Sequence, residues 1–195
     1  MDADAELLSS LLDGDEDAFV MLVARYRQPM LRLAESMILN RAVAEEVVQD
    51  TWIGVVRGID RFEGRSTFKT WLFGILVNRA RSASSREHSD IPIDTLHAVD
   101  PLRFDANGHW ADPLDAWTED SDDRLDAASL LPALKSALDD LPQRQRQIVL
   151  LRDVEGLSHD EACGVLGITA GNQRILLHRG RTRLREILER HIEKG

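Results

Sequence analysis

A chain of 195 residues, 43% hydrophobic and 30% charged with a formal charge of −10, holds material for one ordinary domain or two small ones and has a soluble composition. No apolar run approaches the roughly 18 residues that cross a bilayer, and the acidic start MDADAELL is no signal peptide, so a cytoplasmic protein is expected. A single cysteine, Cys163, excludes an internal disulfide framework and a multi-cysteine zinc site.

The first half reads as helix throughout. Phe19, Leu22, Val23, Tyr26, Met30, Leu33, Met37 and Ile38 recur at three- and four-residue steps, and Pro29 is expected to bend or interrupt that run. A second helix is expected over 42–58, with Val43, Val47, Val48, Thr51, Val55 and Ile59 as its apolar stripe. A third starts near Ser66, whose hydroxyl is placed to cap Phe68 or Lys69, and runs to about Ser85. Between the second and third lies the turn signal Glu63-Gly64-Arg65-Ser66 in the stretch RFEGRSTFKTWLFGILVNRARS. That stretch gathers Phe62, Phe68, Trp71 and Phe73 beside Arg61, Arg65, Lys69, Arg79 and Arg81, although aromatics are only 5% of the chain.

The middle is different in kind. Between Glu87 and Asp126 there are 12 acidic residues against two basic ones, Arg103 and Arg124, so this segment alone carries −10. The rest holds 22 acids and 22 bases, and 171–195 is locally basic, with seven Arg and Lys against three Glu. Pro92, Pro101, Pro113, an Asn-Gly and scattered apolars give the middle linker composition, with Trp110 and Trp117 as docking points for a partner. A structureless loop of about 40 residues does not suit one compact domain. The expected organisation is all-α: a helical domain over 1–86, an acidic linker over 87–124 with an r.m.s. span of roughly 35 Å as a flexible coil and a full stretch beyond about 100 Å, and a second helical domain over 125–195.

In the second domain a helix from about Arg124 to Asp139 ends at Leu141-Pro142, and Pro142 opens a helix reaching Val154, broken by Glu155-Gly156. Ser158-His159-Asp160-Glu161 reads as a capping box for the short helix DEACGVL, which ends at Gly167. Ile168 bridges, Thr169 caps, and a long helix carries 172–190. Short helix, Gly turn and Arg-bearing helix make a helix-turn-helix, to be weighed against a plain αα-hairpin with a solvated basic face. In the DNA-binding reading, Asn172, Gln173 and Arg174 reach base edges while Arg179, Arg181 and the Thr169 amide meet phosphates.

The aromatic stretch suits unstacked bases, with Arg61, Arg65 and Lys69 on the phosphates. Leu72, Ile75 and Leu76 are core; for Phe62 and the turn, core and base-binding readings both stand. Glu46 and Asp50 lie one turn apart in AEEVVQDTW, beside Glu45 and Gln49. Half of a carboxylate metal cluster is one reading, but no matching acidic pair is evident, and an acidic face for a partner protein fits better. His159 and Cys163 at i, i+4 have no further ligand nearby. No nucleophile with a base and no phosphate-binding Gly loop can be assembled, so no catalytic residue, metal or cofactor is expected.

The segments AFVMLVARYR through AEEVVQDTWIGVVRGIDRFEGRSTFKTWLFGILVNRAR, and LPALKSALDDLPQRQRQIVLLRDVEGLSHDEACGVLGI through LLHRGRTRLRE, resemble the extracytoplasmic-function (ECF) sigma factors of the bacterial sigma-70 family. The resemblance implies docking of the second helix on the β′ clamp helices of core RNA polymerase through Glu45, Glu46, Gln49, Asp50 and Trp52. It implies recognition and melting of the promoter −10 element by Arg61, Phe62, Glu63, Gly64, Arg65, Ser66, Thr67, Lys69, Asn78 and Arg79. It implies reading of the −35 element by Thr169, Asn172, Gln173, Arg174, Ile175, His178, Arg179 and Arg181, with the same domain on the β flap. The acidic linker resembles the segment that threads the polymerase channels in imitation of nucleic acid, and its reach suits promoter elements roughly 70 Å apart. Family habit implies an anti-sigma factor, often membrane-bound, clamped between the domains.

One departure matters. Many members carry a pattern like VGTVKSRLHRAR where this chain has AGNQRILLHRGR, so Gln173 stands at a usual Val and Ile175-Leu176 at Ser-Arg. Ile175 or Leu176 is placed either to touch thymine methyls or to pack on an inhibitor. The alternatives from other classes are a stand-alone helix-turn-helix repressor and a helical metal-dependent nucleotide hydrolase.

Overall fold

A computed structural model describes residues 3–87 and 127–192. The proposed linker, with Trp110 and Trp117, lies outside the described residues beyond Glu87. Every regular element among the described residues is helical. The first half contains α1 (Ala3–Leu12), α2 (Glu16–Glu35), α3 (Arg41–Gly58) and α4 (Phe68–Glu87), with a 3₁₀ turn at Ile59–Arg61. The second contains α5 (Ala127–Asp139), α6 (Gln143–Val149), α7 (His159–Leu166) and α8 (Ala170–Ile192).

Asp15 starts α2 by accepting from the backbone N–H groups of Asp17 and Ala18, and Asn40 starts α3 by accepting from Ala42. Pro29 does not interrupt α2, which runs 20 residues through it. Burial of Leu22, Tyr26, Met30 and Leu33 on one face offsets the lost backbone hydrogen bond. At α4 the cap is Thr67, not Ser66: the Thr67 hydroxyl accepts from the Thr70 backbone N–H at 3.2 Å, and the Ser66 hydroxyl turns to the Thr67 carbonyl. Helix α1 was not foreseen. It is held by Asp4, which ties to Arg25 at 2.5 Å and accepts from the Tyr26 hydroxyl.

The expected capping box is present in full: Ser158 accepts from Glu161 N–H, and Glu161 accepts from Ser158 N–H. Gly167 ends α7 at φ 56°, a left-handed conformation that glycine adopts without steric cost. The helix after Pro142 does not run to Val154 as a regular α-helix. It widens into a π turn over Leu150–Val154, and this turn sends Asp153 and Glu155 to different neighbours.

The two halves pack on each other, and one contiguous cluster of buried side chains runs from Leu22, Val55, Phe73 and Leu76 to Ile148, Leu151, Val165 and Leu177. Helix α7 lies against α4, while Gln143 and Gln147 donate to the carbonyls of Met37 and Ser36 at 3.1 and 3.4 Å. Within the second half, α8 crosses α6 at Gly180, where a β-carbon would stand 2.7 Å from Val149 Cγ2. Gly180→Ala is expected to lower the stability of the fold by about 1–3 kcal/mol through overpacking. The midpoint of urea unfolding checks this, with an unchanged midpoint showing that the α6–α8 crossing relaxes freely.

Candidate nucleic-acid interface

On the first domain the aromatic stretch separates into core and surface. Phe68 and Phe73 are buried and pack against Tyr26 with ring centroids 5.8 and 6.5 Å apart. Phe62 and Trp71 are half-buried and face each other at 5.2 Å, forming a ring pair at the rim. The loop around them is open: Arg61, Glu63, Gly64, Arg65, Ser66 and Thr67 are exposed. The Arg65–Glu63 ion pair at 3.0 Å lies in solvent, where such pairs add little, so Arg65 stays available to an anion. Asn78 lies seven residues beyond Trp71, two turns on the same face and about 10 Å further along α4. It is exposed.

The structure brings together two groups that the sequence reading assigned to different tasks. A groove of about 640 Å³ between α3 and α4 is lined by Glu46 and Asp50 on one wall and Asn78 and Arg79 on the other, over Val43 and Ile75. Arg79 approaches Asp50 at 4.0 Å. Glu46, Gln49 and Asp50 are exposed and Glu45, half-buried, pairs with Arg41, whereas Trp52 is 7% exposed and packs edge-on against Phe19 at 5.6 Å. Trp52 therefore reaches the surface only as part of a second groove of about 450 Å³, lined by Phe19, Val23, Gln49, Ile53, Val56 and Arg57. Val20, Ile53 and Val56 are open apolar residues at this α2–α3 edge. Sequence reading missed them because an apolar stripe predicts burial; the signal was the width of WIGVV, too broad for one buried face.

On the second domain, Asn172, Arg174 and Ile175 point outward from the first turns of α8, with Ile175 50% exposed. The Thr169 hydroxyl caps the helix by accepting from Asn172 N–H at 3.3 Å. Two expected DNA contacts are placed otherwise. Gln173 is 1% exposed, with its Nε2 lacking a hydrogen-bond partner, so it faces the domain's core and is removed from base edges. Arg181 is held in a two-pronged contact with Asp153 at 2.9 and 2.6 Å, which raises its pKa and makes it a strut between α8 and the π turn. Arg179 and His178 are half-buried; burial and then the neighbouring Arg179 push the His178 imidazole below its ordinary value, so at neutral pH it brings no charge. Cys163 and His159 stand 3.9 Å apart, and burial pushes the thiol up.

The chain matches the family models Sigma-70 region 2 over residues 22–89 and Sigma-70 region 4 over residues 131–184. It is 34% identical over 177 residues to the RNA polymerase sigma factor CarQ of Myxococcus xanthus, covering 90% of this chain and 92% of that one. It is 27% identical over 190 residues to the ECF RNA polymerase sigma-E factor of Haemophilus influenzae, covering 97% and 95%. Among solved structures it is similar to CnrH in complex with the cytosolic domain of CnrY, with a TM-score of 0.58, 24% identity and coverage of 96% and 98%. It is similar also to the sigma factor RpoE in complex with the anti-sigma factor NepR from Bartonella quintana, with a TM-score of 0.54, 26% identity and coverage of 88% and 96%. A two-domain helical chain with a helix-turn-helix is thus a transcription initiation factor by class. It belongs to the sigma-70 family as an ECF sigma factor, an alternative sigma factor of transcription initiation.

The family's usual Val at the position of Gln173 now has a structural meaning: the position is core. Gln173→Val removes an amide that is buried without a partner, and is expected to raise stability by about 1–3 kcal/mol while leaving DNA affinity unchanged. Thermal unfolding and a DNA titration on the same sample check this, and loss of DNA binding would return Gln173 to the reading face. Glu161 offers a pH test. The Thr70 hydroxyl, followed by the Ser158 backbone N–H, holds its carboxyl down at about 2. Its stabilisation is complete above the ordinary value of 4.5 and is lost as pH falls through about 2. The stability gap between the wild type and Glu161→Gln should therefore be constant at neutral pH and narrow progressively below pH 4.5. A gap that does not move with pH would show that the charge of Glu161 is immaterial.

Proposed function

We propose that the chain binds core RNA polymerase through the α2–α3 edge, opens the −10 element with the loop at 61–67, and reads the −35 element with the outward side of α8. The observation that carries this reading is the apolar surface of Val20, Ile53 and Val56 at a groove lined by Phe19 and Val23, bordered by the acidic residues Glu46 and Asp50. A surface of that kind is costly in water and suits a partner protein with apolar ridges and basic flanks. The β′ clamp helices are the partner the family suggests. Phe62 and Trp71 supply ring faces for unstacked bases, Arg61 and Arg65 the phosphate contacts, and Asn78 a polar group for a base edge. On α8 the base-reading set is Asn172, Arg174 and Ile175, and the apolar tip of Ile175 suits a thymine methyl. The second domain also contacts the β flap in this reading. By kinship with RpoE, found in complex with NepR, the chain is held in check by an anti-sigma factor. Where that inhibitor is membrane-bound, the cytoplasmic chain is kept at the membrane.

Two variants separate the steps. Ile53→Arg, at an exposed position the fold tolerates, is expected to weaken core polymerase binding at least about tenfold by placing a charge in the apolar contact. Phe62→Ala is expected to leave that binding intact and to reduce promoter opening by about tenfold, the loss of one stacked base. Polymerase affinity and permanganate reactivity of the melted −10 strand are the two readouts. Loss of both properties in both variants would mean that the residues are structural and would contradict the division of labour.

A further inference from the structure

Two arginines of α4 leave the proposed strand side in opposite directions. Arg81 donates to the Leu166 carbonyl at the end of α7. Arg79 follows Asn78, about 100° further round the helix, and crosses to α3. Its guanidinium rests on α3 at Gly54, in the place of a missing side chain. A β-carbon there would stand 2.7, 3.4 and 3.5 Å from Nη2, Cζ and Nε of Arg79. Nη1 of the same guanidinium stands 4.0 Å from Asp50 Oδ2, one turn back from Gly54.

Gly54 lies inside an 18-residue helix, where glycine is less stable than alanine because it loses more backbone freedom on folding. The guanidinium gives that glycine a packing reason, since a side chain at 54 would push the Arg79 tip off α3. The seat also decides what Arg79 can meet. Asp50 and Gly54 form a strip between the groove over Val43 and Ile75 and the apolar edge at Ile53 and Val56. Glu46 lines the same wall one turn further back. A strand phosphate brought to the Arg79 tip would therefore approach two carboxylates, and like charges set together oppose binding. Arg79 is 40% and Asp50 55% exposed, so their own attraction is weak and both charges stay available to a partner. Two acids along α3 with one cation opposite them are complementary to a protein element that carries bases beside an acid.

We propose that Gly54 is a seat for Arg79 and that the pair completes the polymerase-docking face. There the guanidinium takes an acidic side chain of the polymerase, while Glu46 and Asp50 take basic ones. Arg79, placed by the sequence reading among the promoter contacts, thereby moves to the protein side of α4, and Asn78 keeps the strand side. The inference rests on the reading of α3 as the polymerase-binding helix. It adds a position that acts without a side chain, setting partner specificity by what it leaves room for.

Gly54→Ala is a clean probe, because alanine suits a helix interior better and only the flexible end of one long side chain has to shift. The full chain, Gly54→Ala, Arg79→Gln and the double variant are titrated into bacterial core RNA polymerase, with urea unfolding on the same samples. Gly54→Ala is expected to keep or raise the unfolding midpoint and yet to weaken polymerase binding about fivefold. Arg79→Gln is expected to weaken it equally, and the double variant no further, because both changes remove one contact. The assembled complexes are then titrated with a labelled A- and T-rich single DNA strand over a range of salt. The slope of log affinity against log salt is expected to match wild type, whereas loss of a phosphate contact would reduce it by about 0.7. A reduced slope in Arg79→Gln would return Arg79 to the promoter strand. Unchanged polymerase affinity in either single variant overturns the seat, as does a lowered midpoint in Gly54→Ala, which would make Arg79 a structural brace. A wild-type chain that fails to bind polymerase defeats the proposed function and this inference with it, while wild-type binding that the variants leave untouched defeats the inference alone.

Discussion

The placement of one carboxylate organises the join between the two domains. Glu155 sits almost out of solvent at the end of a π turn, and Arg32 and Lys69 face it from the other domain. Burying an ion costs several kcal/mol unless its partners are fixed. Here the partners are fixed because Arg32 belongs to α2 and Lys69 to the first turn of α4, both anchored by core residues such as Leu33 and Phe68. Glu161 adds to this from the neighbouring helix. Its carboxylate closes the capping box of α7 and takes the Thr70 hydroxyl, so the start of the helix-turn-helix and the seat on α4 share one group.

Helix α4 consequently serves three surroundings at once. Leu72, Phe73, Leu76 and Val77 fill the core. Trp71 and Asn78 line the side proposed for the −10 strand, and Thr70 with Arg81 carries the second domain. The charge distribution fits the same picture. Acids are concentrated between Glu87 and Asp126, and the remainder carries 22 acids against 22 bases. Some of its cationic groups are committed to specific carboxylates, as Arg181 is to Asp153, and others are left open on faces proposed for DNA, as Arg61 and Arg174 are.

The sequence made most of the architecture legible because local chemistry and tertiary packing agree there. The capping box at Ser158, the Gly167 turn and the Thr169 cap are short-range features, and each is found at the predicted position. What was not legible depends on contacts across long separations. Pro29 reads as an interruption until the burial of its helix face is known. Gln173 reads as a base-reading amide because it is polar, and only the register of α8 shows it pointing inward. Arg181 looks like a phosphate contact until Asp153, 28 positions earlier, is seen to hold it. The apolar edge at Ile53 and Val56 lies outside the stripe expected for its helix, and its exposure is seen only once the packing of α2 on α3 is known.

Every role proposed for these surfaces requires that the chain join RNA polymerase as a subunit. Size-exclusion chromatography of the full chain with bacterial core RNA polymerase, at micromolar concentration and moderate salt, tests that most directly. The expected result is a one-to-one complex that then selects and opens promoter DNA. A folded, inhibitor-free chain that elutes apart from the polymerase while binding duplex DNA alone would contradict it and favour a repressor.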